Sequence, residues 1–418
     1  MKKVIFLIVL LLAVSTYSFA EDLNLTGEGA ILIDVDSLEI LYEKNPHERL
    51  YPASTTKIMT AILAIELSDL DDIVIVDQEV VDLTDGSHIA LEPGERLTME
   101  QMLNALLIPS ANDAALAIAK HISGSIEGFS KLMNEKAKSL GALNTNFVNP
   151  NGLPDENHYT SAYDLALIAR YAMENEIFRS IVGNYTYTIP VTNVKTEERY
   201  LKSSNKLLYS NEKINLDGNS IPIKFEGVNG VKTGYTIAAG NCLVTSYEDL
   251  DNKLISVVLK SDPKDVYSDT HRLLNYGINN FEKARIGFAN KFIENFQVEN
   301  GVQPYVAGIT KSDSYYILQK NKNTSIEERI IADSPIAAPI EKNQVIGKME
   351  YWIDDHKVAE SHIISTMDID ALEAPSLLKR LVNNWYWFVF LVLILSRVWV
   401  ISNRRKRRKQ RSATLFGA

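Results

Sequence analysis

With 418 residues, 46% of them apolar, and a single cysteine, the chain is long enough for two or three cored domains and has no internal disulfide framework. The net charge of −10 hides a more acidic body: Lys2, Lys3, Arg397 and the basic residues from Arg404 to Arg411 sit at the two ends, leaving about −20 on residues 21–384. Such a body does not bind nucleic acid through net charge, and scattered histidines with no Cys/His cluster point to no metal and no other cofactor.

Residues 1–20 predict a secretory signal: Lys2 and Lys3, an apolar run from Val4 to Val14, then Ser18 and Ala20 as the small residues before a cut at Glu21. An uncleaved anchor is the alternative, and both imply export. Ala30–Asp36 and Glu39–Tyr42 flank a short polar turn and predict a hairpin. The stretch Tyr51–Thr60 follows. From Ile58 to Leu67 only Thr60 and Glu66 interrupt an apolar run, which predicts a helix buried on most sides. Pro52 suits its first turn, where Ser54 also falls. Three residues on, Lys57 shares a helical face with Ser54, at a Cβ separation of roughly 5–6 Å. A hydroxyl is a poor nucleophile until a base takes its proton, and a buried lysine near other cations is neutral enough to do so. The free N–H groups of a helix N-terminus favour a developing anion. The spacing alone is weak, because Ser-x-x-Lys recurs at Ser203/Lys206, Ser210/Lys213, Ser261/Lys264 and Ser376/Lys379. Only the match at Ser54 opens a buried helix.

Ile73–Val76 predicts a short strand and Gly86–Leu91 an extended segment. Thr98-Met-Glu-Gln101 is a capping box for a helix ending near Leu107, where Pro109 stops it. Ser110-Ala-Asn-Asp113 is expected to cap the next helix, Ala114–His121. Further helices are expected at Ile126–Leu140 and, after Ser161-Ala-Tyr-Asp164, at Leu165–Met173. Gly227–Val231 leads into Lys232-Thr-Gly234, then strands at Asn241–Ser246 and Leu254–Lys260, and a helix at about Asp269–Phe281. The fold class is α/β of the α+β kind, with helices packed on an antiparallel sheet whose strands come from both chain ends. His158 and His271 are read as surface residues.

Residues 287–370 predict a small all-β module with segments at Phe296–Val298, Tyr315–Leu318, Val345–Tyr351 and Lys357–Ser361. Residues 384–402 predict a membrane span that is barely long enough, with Arg397 near its end. An interfacial helix is the rival reading, but the span has no polar face. The basic run in 403–418 marks a cytoplasmic tail and so a single-pass protein with its body outside.

Three short patterns stand in order: Ser54-x-x-Lys57 at a buried helix start, Ser110-x-Asn112 at a helix junction, and Lys232-Thr-Gly234 in a strand setting. Each is common alone, and capping or surface roles are the plain alternatives for Ser110, Asn112 and Lys232. Together they resemble the serine D-alanyl-D-alanine carboxypeptidases, the low-molecular-mass penicillin-binding proteins. The likeness runs from about Gly27 to Phe281 and includes Asn151-Gly-Leu-Pro154.

The resemblance implies a penicillin-binding-protein/β-lactamase-like catalytic domain over 21–284. It implies removal of the terminal D-alanine from peptidoglycan stem pentapeptides, which regulates wall cross-linking, and β-lactams as covalent inhibitors. It makes Ser54 the nucleophile, Lys57 its base and Ser110 a proton relay. Asn112 would hold the substrate amide, Lys232 would supply positive charge near Ser110 and the terminal carboxylate, Thr233 would bind that carboxylate, and Gly234 would be a further substrate-binding residue. The N–H groups of Ser54 and Tyr235 would form an oxyanion hole. One departure is visible. Family members often carry a carboxylate-binding arginine after the strand here read as Leu254–Lys260, whereas this loop is Ser261-Asp-Pro-Lys-Asp-Val-Tyr-Ser268, leaving Lys264 or Arg272 as substitutes. The alternatives are a β-lactamase, for which Glu156 offers a water-activating base, and a non-catalytic, membrane-anchored wall-binding protein.

Overall fold

The computed structural model describes residues 22–332, 335–373 and 382–413. The expected signal segment, 1–20, lies outside them. Two bodies are distinguished: residues up to Ile286 together with Tyr315–Ser325, and Gly287–Ser314 together with the chain from Ile326.

In the first body, strands β1 (Gly29–Asp34) and β2 (Ile40–Lys44) form the expected hairpin. A 3₁₀ turn, Ala53–Thr56, runs directly into helix α1 (Lys57–Leu67). The chain continues through β3 (Ile73–Ile75), α2 (Gln78–Asp82), β4 (Arg96–Thr98), α3 (Met99–Leu107), α4 (Asn112–Ser123) and α5 (Ile126–Ser139). Helices α6 (Ala162–Glu174) and α7 (Glu176–Gly183) follow, and then the pairs β5 (Thr186–Ile189) with β6 (Arg199–Lys202) and β7 (Lys213–Leu216) with β8 (Asn219–Pro222). Strands β9 (Val228–Thr236), β10 (Gly240–Glu248) and β11 (Lys253–Ser261) precede α8 (Asp265–Asn280) and β12 (Phe281–Gly287). The main sheet is antiparallel in the order β2-β1-β11-β10-β9, so an early strand and a late strand of the first body meet at β1 and β11.

Strand periodicity explains the layering. Successive side chains point to opposite faces, and in β1 both sets are buried. Ile31 and Ile33 join the core that contains α1, α3, α4 and α6, whereas Ala30 and Leu32 join the core that contains Leu273 and Leu274 of α8. In β11, Ile255, Val257 and Leu259 face the first core, and Leu254 and Val258 face the second. The sheet is therefore covered by helices on both faces.

The capping box at Thr98 forms as expected, with Gln101 returning the bond. Other expectations shift. Helix α4 starts at Asn112 and takes no side-chain cap, because the N-cap position falls on Ala111, while Asn112 Oδ1 receives Lys57 and the Asp113 carboxylate accepts from the N–H groups of Ile89 and Ala114. The segment Gly86–Leu91, expected to be extended, joins no sheet and is held by the Asp113 carboxylate through the N–H groups of Ile89 and Leu91. Both His158 and His271 are buried, not on the surface.

Buried Asp269 ties three parts of this body together. It accepts hydrogen bonds from the Gly27 N–H (2.9 Å), the Thr26 N–H (3.1 Å) and the Ser261 hydroxyl (3.0 Å), and pairs with Arg272 at 3.3 Å. Asp269→Ala orphans these donors and is expected to destabilise the fold by about 3–5 kcal/mol. The check is a lower urea midpoint at unchanged slope.

In the second body, β13 (Phe292–Glu299), β14 (Tyr305–Thr310), β16 (Glu327–Ile331), β17 (Ile336–Ala337), β18 (Val345–Ile353) and β19 (His356–Ser365) form one sheet, ordered β16-β18-β19-β14-β13-β17. Strand β15 (Ser314–Gln319) instead pairs with β12, and its Ile317 is buried beside Leu273 in the first body's second core. The segment Tyr315–Leu318, read as part of the β module, thus groups with the first body. Helix α9 (Trp385–Ala413) is long and apolar enough to cross a membrane over Trp385–Arg408.

Candidate active site

Helix α1 is buried through its first eight residues, and that carries its N-terminal lysine inside. Lys57 is fully buried, and its Nζ donates to Ser54 Oγ at 3.0 Å, Asn112 Oδ1 at 2.6 Å and the Asn151 carbonyl at 2.8 Å. Three acceptors around one nitrogen fit its three donors. As a neutral amine, the same nitrogen turns its lone pair to the Ser54 hydroxyl. Burial drives the Lys57 pKa well below the ordinary lysine value, and the Lys232 charge lowers it further, against a smaller opposing pull from Asp113. Ser54 sits in the 3₁₀ turn directly after Ala53, whose φ of +48° lies in the left-handed region. Ser110, at φ +71°, is the second non-glycine residue of the site held there. Sparsely populated backbone of this kind clusters at functional sites.

Ser110 is buried at the cleft, and its hydroxyl has no hydrogen-bond partner among the described residues. Asn112 opens α4 with both ends engaged: Oδ1 receives Lys57, and Nδ2 donates to the Asp85 carbonyl. Its backbone N–H donates to Ser87 O at 2.7 Å. Holding a substrate amide therefore requires Nδ2 to release Asp85.

Strand β9 forms the opposite wall. Lys232 is buried, not a surface strand-end lysine, and Nζ donates to the Thr233 carbonyl at 3.0 Å. Burial lowers its pKa to about 7. A lysine so depressed carries its burial penalty in full below that pH, and the penalty fades as pH rises toward the unfolded value of 10.5. Lys232→Met is expected to stabilise the fold at pH 7 by about 2–5 kcal/mol, with the gain shrinking toward pH 10. Urea titrations at the two pH values check it.

At Gly234 a Cβ would lie 3.0 Å from both Pro52 O and Ser54 N, so only glycine lets the strand approach the turn without a shift. Tyr235 is exposed at the cleft mouth. Ser54, Ser110, Thr233, Gly234 and Tyr235 line a cleft of about 290 Å³, and Lys57 and Asn112 lie behind Ser54. The patterns separated in sequence are therefore brought together.

Three contributors were not legible in the sequence. The Asn151 carbonyl meets Lys57, and Pro150 O accepts from Thr60 Oγ1 at 2.6 Å, so this loop is laid along α1. His158 anchors it: the Val148 N–H donates to Nδ1 at 3.1 Å, and Nε2 contacts Thr56 Oγ1 at 2.9 Å. Burial lowers the His158 pKa to about 4, so the ring is neutral and Nε2 is the donor to Thr56. Ser204 adds a hydroxyl 2.6 Å from Thr233 Oγ1. Glu156 is exposed and is not among the residues that line the cleft.

Residues 16–263 match the family described as D-alanyl-D-alanine carboxypeptidase, and residues 281–371 match the penicillin-binding protein 5 C-terminal domain. The chain is 36% identical over 370 residues to the D-alanyl-D-alanine carboxypeptidase DacF of Bacillus subtilis, covering 87% of this chain and 90% of that one. It is 31% identical over 398 residues to DacA of Haemophilus influenzae, covering 91% and 95% respectively. Among solved structures, penicillin binding protein 5 from Haemophilus influenzae superposes with a TM-score of 0.65 at 29% identity, covering 83% of this chain and 98% of that one.

Proposed function

The chain belongs to the D-alanyl-D-alanine carboxypeptidase family of hydrolases, and we propose that Ser54 is the nucleophile with which it removes the terminal D-alanine from peptidoglycan stem pentapeptides. The observation that carries this reading is the 3.0 Å contact between Ser54 Oγ and the buried, pKa-depressed Lys57. Neutral Lys57 takes the hydroxyl proton as Oγ attacks the penultimate D-alanine carbonyl. The backbone N–H groups of Ser54 and Tyr235 receive the oxyanion; losing one such donor typically costs about 10²–10³ in rate. Ser110, whose hydroxyl is otherwise unpartnered among the described residues, passes a proton to the departing D-alanine nitrogen. The C–N bond breaks, leaving an ester on Ser54, and water then releases the shortened peptide. Lys232 supplies positive charge near Ser110 and the terminal carboxylate, and Thr233 and Gly234 shape that side. Asn112 holds Lys57 and exchanges Asp85 for the substrate amide.

The family binds peptidoglycan peptides and β-lactams. A β-lactam acylates the same serine, but its leaving group stays tethered. A β-lactamase needs a base placed for water, and exposed Glu156 does not supply one at the cleft. A non-catalytic wall-binding role does not account for a lysine kept buried against a serine.

We read residues 1–20 as an export signal and α9 as a single membrane anchor. Its basic end lies in the cytoplasm, and the catalytic body lies outside with the 287–370 module as spacer. The test is incubation of the purified protein with a stem pentapeptide. Free D-alanine equimolar with tetrapeptide is expected; no release overturns the reading.

A further inference from the structure

The cleft presents a chemical puzzle at its carboxylate end. The residues that line it include no arginine, lysine, aspartate or glutamate. Neither of the substitutes expected from sequence is present there. Arg272 is held by Asp217 at 3.0 Å and Asp269 at 3.3 Å, and Lys264 is not among the lining residues. The cation behind the wall is Lys232, whose Nζ is directed at the Thr233 carbonyl.

The geometry points to Ser204 as the residue that, with Thr233, receives the substrate's terminal carboxylate through paired hydroxyls in place of a guanidinium; this rests on the carboxypeptidase reading above. The two oxygens are 2.6 Å apart, and both residues line the cleft beside Ser110. Two hydroxyls carry two protons, and one suffices for the bond between them, so the pair always holds a donor to spare. An arriving carboxylate takes both, because a hydrogen bond to an ionised acceptor is stronger than one between neutral hydroxyls.

Ser204 is also fixed before any ligand arrives. Its N–H donates to the Ile108 carbonyl at 3.0 Å, two residues before Ser110, and the preceding Ser203 N–H donates to Tyr185 O at 2.8 Å. Next in the chain, Asn205 caps the short turn Lys206–Leu208 through the Leu207 N–H. The hydroxyl therefore stands on a braced loop and meets its ligand without an ordering cost.

The test compares kcat/KM for a stem pentapeptide and for its C-terminal amide, using the wild type, Ser204→Ala and Ser204→Thr. Ser204→Ala is expected to lower the acid-to-amide ratio by roughly tenfold or more, the scale of one hydrogen bond to a charged group, chiefly through KM for the acid. Ser204→Thr keeps the hydroxyl and is expected to restore the ratio. An unchanged ratio in an active Ser204→Ala protein, an equal loss on both substrates, or a threonine variant that behaves like alanine overturns this assignment alone. Absence of D-alanine release by the wild type overturns it together with the carboxypeptidase reading.

Discussion

Replacing Ser54 by alanine is expected to abolish D-alanine release, with kcat falling by about 10⁶, the scale reached when one member of a nucleophile–base unit is removed. The fold should survive the change. Among the described residues Ser54 Oγ makes one hydrogen bond, accepted from Lys57, and Lys57 keeps its contacts to Asn112 Oδ1 and the Asn151 carbonyl. A methyl side chain also suits this 3₁₀ turn, whose first residue, Ala53, already carries one. The variant should therefore bind pentapeptide with an affinity near the wild type while turning none over. Calorimetric titration beside a D-alanine assay checks both halves. Turnover within tenfold of wild type would place the nucleophile elsewhere.

Lys57→Met is the second large effect. It removes the base and keeps the packing volume, and is expected to slow acylation by about 10²–10⁴-fold. The pH profile carries the mechanism. Lys57 must be neutral to act, so acylation rises with pH through its depressed pKa; Lys232 acts through its charge, so activity falls as it deprotonates near about 7. In a Lys232→Ala protein the neighbouring positive charge is gone, the Lys57 pKa rises, and the ascending limb moves to higher pH. A limb that stays in place would show that burial alone sets the Lys57 pKa. Because Ser54 and Lys57 act as one unit, the double variant should be no slower than Ser54→Ala.

Much of this was legible because local patterns and the fold agree. The apolar run after Lys57 predicts a helix buried on most sides, and burial of that helix is what takes the lysine out of water. The apolar runs that become β1 and β11 predict strands, and their pairing joins the beginning of the first body to its later part. What was hidden depends on partners distant in sequence. Nothing around His158 announces that Thr56, 102 residues away, will bury it. Ser203-x-Asn205 reads as a chance repeat of the Ser110-x-Asn112 pattern, yet Ser204 meets Thr233 across the cleft. Helix α8 starts at Asp265, four residues earlier than its pattern predicts, because Lys264 at φ +66° turns the chain with no capping side chain to mark the place. Ile317 looks like any strand residue of the β module until its core is known.

The most direct measurement is peptide mapping by mass spectrometry after brief treatment with penicillin. Trypsin releases Ser54 on the fragment that follows Arg49 and ends at Lys57. The account predicts one adduct of the drug's full mass on that fragment, localised to the Ser54 side chain and absent from Ser54→Ala. An unlabelled protein, or an adduct on any other residue, would contradict it.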